Sequence, residues 1–280
     1  MAVYTKLSKE QLVNFFEKYD LGKLLNFDEI TDGIENTNYF IKTEKGKFIL
    51  TLYEKRVDEK DLPFFIGLMK NLFNENFPSP EPIINKNGNY ISEVLGKKAA
   101  VVSFLEGKAK KILNPMDCYN VGIGTAKMHM ITKNLPGKRI NKLSINSWKN
   151  IYNRVKNDCS KIHPNLGDVI EKNLIEIEKN WPKKLPSGII HADLFPDNIF
   201  FKNNELSGII DFYFSCNDFY AFEIAVCLNA LCFEGEKENL SFNVTKAKKF
   251  IDGYSSIRNL NEDEKNSLKI LCQGAAIRFL

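Results

Sequence analysis

The sequence predicts an α+β fold in two parts, an N-terminal β-sheet region with helices and a larger, mainly helical C-terminal region. Three observations support this. Strand-like alternation and turn signals dominate the first hundred residues, and apolar residues at helical spacing dominate after Gly107. The length of 280 residues suits one large or two smaller domains. We place the boundary near residues 104–107, which gives regions 1–104 and 105–280.

The N-terminal region is predicted to begin with a helix over 7–19, because apolar residues recur there at helical spacing. Residues 38–53 then predict two strands joined by a turn at Glu44-Lys45-Gly46, which is a β-hairpin. A helix over 58–73 and a proline-rich break at 77–82 follow. Further strands are predicted over 82–84, 89–94 and 99–104.

The C-terminal region carries apolar stripes that predict helices over 117–131, 145–162 and 166–181 and through most of the last sixty residues. One segment interrupts this pattern. Residues 188–201 predict strand, polar loop and strand, and after a turn at Asn203-Asn204 a further short strand over 206–210 ends on Asp211.

The composition is that of an ordinary globular protein, with 44% hydrophobic and 26% charged residues. The net charge of +4 is spread along the chain, so we expect no nucleic-acid partner. No apolar run approaches the roughly 20 residues that span a bilayer, so we expect no membrane partner and a cytoplasmic location. The six cysteines lack C-x-x-C spacing and are predicted to be reduced, mostly buried thiols.

The polar loop between the predicted strands carries the candidate chemistry. His191, Asp193, Asn198 and Asp211 all stand at strand ends or in the loop. Two carboxylates and an amide oxygen form a hard ligand set that suits Mg²⁺ better than zinc. Phosphoryl transfer needs such ligands together with a separate carboxylate that accepts the proton of the attacking hydroxyl. We therefore predict Asp193 as the base and Asn198 and Asp211 as metal ligands.

Each of these residues alone is more often a turn or cap residue than a metal ligand. The joint pattern is more specific. The spacing H-x-D-x-x-x-x-N, with a strand ending on Asp211 thirteen residues after Asn198, matches the catalytic loop and metal-binding Asp of kinases. The combined pattern therefore favours a kinase site.

These motifs resemble the signature of the aminoglycoside phosphotransferase and choline kinase superfamily, which has a two-lobed protein kinase-like fold. Segments 21–24, 33–40, 48–52, 61–65 and 191–212 together resemble the homoserine kinases of that superfamily almost from end to end. The resemblance implies ATP and Mg²⁺ as cofactors, with residues 1–104 as the nucleotide-covering lobe and 105–280 as the catalytic lobe. The chain ends within a predicted helix, so we expect residues completing the family's C-terminal bundle to be missing.

The resemblance also implies roles for individual residues. His191 is expected to support the catalytic loop through hydrogen bonds. A backbone hinge near Ser103 and Leu105 is expected to hold adenine. The turn over the ATP phosphates is expected at 33–38, with the binding residues Gly33, Asn36, Thr37 and Asn38.

Two features concern the acceptor and the nucleotide. A zwitterionic acceptor such as homoserine needs an acceptor group for its ammonium, and the acids nearest in sequence to Asp211 are Asp218 and Glu223.

The strand position where protein kinases carry a phosphate-binding lysine holds Thr51 here, as in the homoserine kinases that this chain resembles. The phosphate-binding cation is therefore not assigned. His129 is predicted to be a hydrogen-bonded packing residue.

Three functional hypotheses remain open at this point. The first is an ATP-dependent kinase acting on the side-chain hydroxyl of L-homoserine, as in threonine biosynthesis, with choline, an aminoglycoside or another amino alcohol as the alternative acceptor. The second is an inactive kinase-fold binding module, suggested by the missing strand lysine. The third is a metal-dependent hydrolase that uses His191, Asp193 and Asp197.

Overall fold

The computed structural model describes residues 4–31, 36–54, 57–235 and 239–280. The chain divides into two compact units. The first comprises Met1–Gly107 and Ser207–Tyr213, and the second comprises Lys108–Leu206 and Phe214–Leu280. In the described part of the chain, no helix combines the length and apolar character needed to cross a membrane.

The first unit is built on a five-stranded antiparallel sheet in the order β1-β2-β3-β5-β4. A 3₁₀ turn at Glu59–Asp61 precedes its second helix. In chain order its helices and strands are α1 (Lys9–Phe16), β1 (Leu24–Ile30), β2 (Thr37–Thr43), β3 (Gly46–Leu52), α2 (Leu62–Asn74), β4 (Ile91–Val94) and β5 (Lys97–Ser103).

Helix α1 packs on one face of this sheet. Ser8 caps the helix start, and Gln11 bonds back to the Ser8 backbone in a capping box that satisfies two amide groups otherwise left without partners. Alternate residues of β2 and β3 point inward and are fully buried against the helix. This core includes Tyr39, Ile41, Leu50, Leu52, Leu12 and Phe15. The predicted hairpin is confirmed, with Thr43 paired to Gly46 at its turn.

The second unit is mainly helical. Strands β7 and β10 pair antiparallel, as do β6 with β8 and β11 with β12. The elements are β6 (Lys108–Ala109), α3 (Pro115–Ile131), α4 (Ile145–Val155), α5 (Cys159–Ile162), α6 (Leu166–Asn180), β7 (Ser187–Ile190), β8 (Ile199–Lys202), β9 (Glu205–Ile209), which continues into the first unit, β10 (Cys216–Phe219), α7 (Tyr220–Leu231), β11 (Phe233–Glu234), β12 (Ser241–Phe242), α8 (Val244–Ser255) and α9 (Glu262–Phe279).

Helices α3 and α8 cross at very close range because each contributes a glycine at the contact. A Cβ atom on Gly122 would overlap the carbonyl oxygen of Phe250, and one on Gly253 would overlap that of Tyr119. Helices α7 and α9 enclose the main core of the second unit, which includes Trp148, Ile190, Phe222, Ala225 and Leu271.

The structure differs from the predicted elements at several places. The predicted helix over 145–162 ends at Val155 and continues as a 3₁₀ turn and the short α5, because apolar spacing indicates the buried face and not continuous hydrogen bonding. Residues 82–84 form only an isolated bridge from Pro82 to Val102, since proline has no N–H to donate. Strands β1 and β10 were not predicted, and β1 lacks regular alternation of buried residues.

Candidate active site

The catalytic-loop segment begins directly after β7. Ile190 at the end of this strand is paired with Cys216 of β10, which fixes the point at which the loop leaves the sheet. Ala192 then adopts a left-handed backbone conformation with φ of 66°. Non-glycine residues in this region are strained and occur preferentially at functional sites. The strained Ala192 lies between His191 and Asp193, the two residues that begin the predicted motif.

Asp193 and Asn198 are brought together by this loop. The Asn198 side-chain nitrogen donates to the Asp193 backbone oxygen at 2.9 Å and to its carboxylate Oδ2 at 3.1 Å. A 3₁₀ turn at Pro196–Asn198 fixes the approach, with the Asn198 backbone N–H donating to Phe195 at 3.0 Å. Both side-chain bonds use the amide nitrogen. The orientation therefore directs the Asn198 oxygen away from the carboxylate, as a cation ligand requires.

Glu223 has a different environment from the one expected of a substrate-binding residue. It lies on α7, is completely buried, and accepts the backbone N–H groups of His191 and Ala192. The carboxylate of Glu223 therefore holds the backbone that precedes Asp193, and its predicted contact with the acceptor stays a prediction. Position in sequence gave no sign of this, because burial on α7 depends on tertiary packing.

The carboxylate of Glu223 is stabilised in its charged form. Burial acts to raise its pKa, but the neighbouring His129 and His191 side chains and the Ala192 N–H outweigh this and hold the pKa below its usual range. His129 Nε2 lies 3.9 Å from Glu223, and Nδ1 is within 2.8 Å of the Tyr254 hydroxyl. Burial lowers the pKa of His129 despite the nearby carboxylate. The predicted packing role of His129 is confirmed.

Asp211 is described with the first unit. Its backbone is also left-handed, with φ of 63°. It acts electrostatically on two hydroxyls, those of Tyr53 and Tyr213, whose oxygens are 3.1 Å apart. Burial raises the pKa of Tyr213 to about 12, and the Asp211 charge adds to this. Asp211 therefore acts on two uncharged tyrosine hydroxyls within its unit.

The predicted phosphate turn is only partly described, because Gly33 lies outside the described residues. Asn36 and Thr37 are buried and bonded within the first unit: the Asn36 oxygen accepts the Glu54 N–H, and the Thr37 hydroxyl donates to the Glu54 carboxylate. Asn38 accepts the Thr51 hydroxyl at 2.7 Å. The side chains of Asn36 and Thr37 are therefore bonded within the first unit, and their predicted contact with ATP stays a prediction.

Thr51 of β3 stands where protein kinases carry the strand lysine, and its hydroxyl holds the Asn38 side chain in place. A nearby cation belongs to Lys97 at the start of β5, which forms an ion pair with Glu54. Glu54 also accepts the hydroxyls of Thr5 and Thr37. Lys97 therefore completes the hydrogen bonding of a mostly buried carboxylate.

The predicted hinge lies at the end of β5. Ser103 donates its backbone N–H to Glu81 at 2.8 Å, and its hydroxyl accepts the Glu81 N–H at 2.9 Å. The Phe104 N–H donates to Lys47. The N–H groups of Ser103 and Phe104 therefore already have partners within the first unit, and adenine binding at Ser103 and Leu105 stays a prediction.

Asp218 lies in a polar cluster that the sequence did not reveal. Its carboxylate accepts the side chain of Asn141 at 2.6 Å, and Asn141 in turn accepts the guanidinium of Arg278 at 2.9 Å. These residues come from a loop, a strand and the last helix. No local pattern links them, because Asn141 is 77 positions from Asp218 and 137 positions from Arg278 in the sequence.

The hydrolase hypothesis gains no support from the described part of the chain. Among those residues, no group of three or more His, Cys, Asp or Glu side chains is arranged to hold a metal ion. Asp197 is exposed on the 3₁₀ turn.

Comparisons with known proteins extend over the whole chain. Residues 26–256 match the model of the phosphotransferase enzyme family. The homoserine kinase of Nitrobacter hamburgensis is 44% identical over 280 residues, covering all of this chain and 85% of the relative. The homoserine kinase of Mesorhizobium japonicum is 42% identical, covering all of this chain and 87% of the relative.

Solved structures show the same fold. An amicoumacin kinase in complex with AMP-PNP, Ca²⁺ and Ami has a TM-score of 0.76 at 14% identity, covering 98% of this chain and 85% of its own. A spectinomycin phosphotransferase in complex with ADP and spectinomycin has a TM-score of 0.69 at 12% identity, covering 98% of each chain. At these identities the likeness establishes the protein kinase-like α+β fold alone. The family match and the curated relatives go further, and the chain belongs to the phosphotransferase enzyme family, alongside its homoserine kinases.

Proposed function

We propose that this protein is an ATP-dependent kinase that transfers the γ-phosphoryl group of ATP to the side-chain hydroxyl of L-homoserine, a step of threonine biosynthesis. The observation that carries the proposal is the bond between Asn198 and Asp193. It holds the Asp193 carboxylate against the Asn198 side-chain nitrogen, in the loop whose spacing typifies kinases. The curated relatives named above supply the acceptor.

Asp193 has the role of general base. A carboxylate that accepts the proton of the acceptor hydroxyl makes its oxygen a better nucleophile as the bond to phosphorus forms. The two donor bonds from Asn198 fix the carboxylate's orientation, and Glu223 fixes the backbone on the other side of Ala192. A base that is already oriented needs little rearrangement to reach the transition state.

The proposal includes Mg²⁺ with Asn198 and Asp211 as its protein ligands. Their oxygen atoms suit a hard divalent cation, and the nitrogen-only bonding of Asn198 fits such a role. When bound, the ion would neutralise charge on the phosphate oxygens of ATP. For the nucleotide, we place the adenine contact at the backbone of Leu105, since Ser103 already donates to Glu81.

An acceptor screen tests the proposal. ADP release is measured with L-homoserine, choline and kanamycin, each with magnesium and with a chelator. We expect homoserine to release ADP far faster than the other two, with activity lost in chelator and restored by added magnesium. Equal rates for all acceptors would exclude homoserine as the specific substrate. The inactive-module hypothesis predicts no release with any acceptor.

We also propose a cytoplasmic location and a small-molecule partner only. This follows from the acceptor, a polar amino acid, and from the mild net charge of +4, which gives no basic surface block for nucleic acid.

A further inference from the structure

Arg278 lies near the end of α9, and its guanidinium is only partly used by the protein. Nη1 donates to the Asn141 side-chain oxygen and to the Leu143 backbone oxygen, both at 2.9 Å. Nε is buried without a hydrogen-bond partner. Nη2 also forms no hydrogen bond with any residue in the described parts of the chain. A guanidinium offers five donors in a planar fork, so this one retains donors for a ligand.

Asp218 provides an opposite charge nearby. Its Oδ2 accepts Asn141 Nδ2 at 2.6 Å, and its Oδ1 accepts the adjacent Phe219 N–H at 2.7 Å. Asn141 therefore contacts both charged side chains, one with its oxygen and the other with its nitrogen. Asn141 is itself 7% exposed and accepts the Leu143 N–H, so its position is fixed.

The two charges form no direct ion pair within the described residues, although both are largely withdrawn from water. Burial raises the pKa of Asp218 and lowers that of Arg278, which means that burial disfavours both charged forms. A ligand that carries both a carboxylate and an ammonium would relieve both costs together. The bridging amide holds the two charges apart at a fixed spacing.

The cluster of Arg278, Asp218 and Asn141 lies next to the loop that carries Asp193. The charge of Asp193 acts directly on Arg278. Phe279, the next residue of α9, packs its ring edge-on against Phe195 of the loop with centroids 4.7 Å apart. The end of α9 is therefore anchored to the loop that carries the base, so a ligand held by Arg278 lies near Asp193.

We propose that Arg278 and Asp218 form the acceptor subsite, where the guanidinium binds the α-carboxylate and the aspartate binds the α-ammonium of an amino acid. Asn141 sets their spacing, and the acceptor's side-chain hydroxyl is delivered to Asp193. The inference rests on the proposed function, which it deepens by defining the acceptor class as an α-amino acid bearing a hydroxyl. An amino alcohol without a carboxylate would leave the guanidinium unpaired.

Two truncated acceptors test this assignment. 3-Aminopropan-1-ol is homoserine without its carboxylate, and 4-hydroxybutanoate is homoserine without its ammonium. In Arg278→Met we expect kcat/KM for homoserine to fall by roughly 10- to 100-fold, the value of a charged hydrogen-bonded contact, with 3-aminopropan-1-ol changed by less than about threefold. In Asp218→Asn we likewise expect kcat/KM for homoserine to fall by roughly 10- to 100-fold and that for 4-hydroxybutanoate to change by less than about threefold. Arg154→Met, at an exposed position of α4, is the matched control.

Equal losses for homoserine and the truncated acceptors would show that these side chains act only on the fold, and would overturn the subsite. Arg278→Lys keeps the charge and should recover part of the homoserine activity lost in Arg278→Met. Thermal unfolding of each variant checks that it is folded.

Calorimetric titration with L-homoserine, in the absence of nucleotide, separates this inference from the proposed function. Binding to the wild type that is lost in Arg278→Met supports the subsite even if no ADP is released, in which case only the proposed function fails. A wild type that does not bind homoserine overturns the subsite, whichever acceptor the enzyme phosphorylates.

Discussion

The carboxylate of Glu223 accepts the backbone N–H of Ala192 with both of its oxygens, each at 3.1 Å. Ala192 has a left-handed backbone, a conformation that costs a non-glycine residue about 1–3 kcal/mol unless its surroundings hold it. A buried anion on α7 therefore stabilises the strained residue that precedes Asp193. The geometry of the loop that carries Asp193 therefore depends on the fully buried carboxylate of Glu223.

We expect Glu223→Gln to lower kcat by roughly 10- to 100-fold with little change in KM for ATP, because one amide cannot accept all the N–H groups that the carboxylate accepts. Removing one member of a buried charged network also costs about 3–5 kcal/mol, so the free energy of unfolding should fall by a large part of that range. Steady-state kinetics and urea denaturation measure the two effects. Glu178→Gln, on the exposed side of α6, is the control. An unchanged kcat in a destabilised variant would contradict the positioning role.

Asp193→Asn should reduce kcat by about 10²- to 10⁴-fold, the usual contribution of general acid–base catalysis, since an amide cannot accept the hydroxyl proton. Asp197→Asn, four residues away and exposed, should retain near-normal activity. Single-turnover ADP formation with homoserine measures both. If Asp197→Asn also abolished turnover, a site built from His191, Asp193 and Asp197 would become the better explanation.

Protein stability should fall on mild acidification because of His129. Burial lowers the pKa of this side chain from its usual value of 6.5. Between pH 6.5 and the lower pKa of the folded state, the unfolded chain therefore binds a proton at His129 and the folded chain does not. The stabilisation is complete above pH 6.5 and is lost as the pH falls toward the folded-state pKa, by at most about 1.4 kcal/mol per pH unit.

Urea denaturation between pH 7 and pH 5 tests this. His129→Gln should show a shallower dependence on pH. His163→Gln, at an exposed position, should keep the dependence of the wild type. Identical slopes in all three proteins would show that His129 does not titrate differently on folding.

Two glycine substitutions should change stability in opposite directions. Gly122→Ala places a methyl group against the Phe250 carbonyl oxygen at the contact of α3 with α8, and overpacking of this kind costs about 1–3 kcal/mol or more. Gly67 lies on the exposed side of α2, and an added methyl group there would meet no other atom within 4 Å, so Gly67→Ala should stabilise by about 0.5–1 kcal/mol through helix propensity. Thermal unfolding measures both changes. A neutral Gly122→Ala would mean that the two helices separate at little cost.

Local regularities make much of the fold predictable. The hairpin of β2 and β3 is predictable because alternation and a glycine turn occur within sixteen residues, and α3 and α6 are predictable because a buried face repeats every three to four residues. The ends of elements are less predictable, as the break after Val155 shows. Hydrogen bonding along a helix can change while the apolar spacing continues.

Within the candidate site, the residues that are close along the chain can be identified without any coordinates. Asp193 and Asn198 are five positions apart, so one tight loop is enough to join them, and their spacing is visible in the sequence. The burial of Glu223 beneath the loop, and the reach of Arg278 to Asn141 across 137 positions, emerge only from the folded chain. Side-chain type and spacing encode local geometry, whereas burial and long-range charge contacts arise only when separate helices pack together.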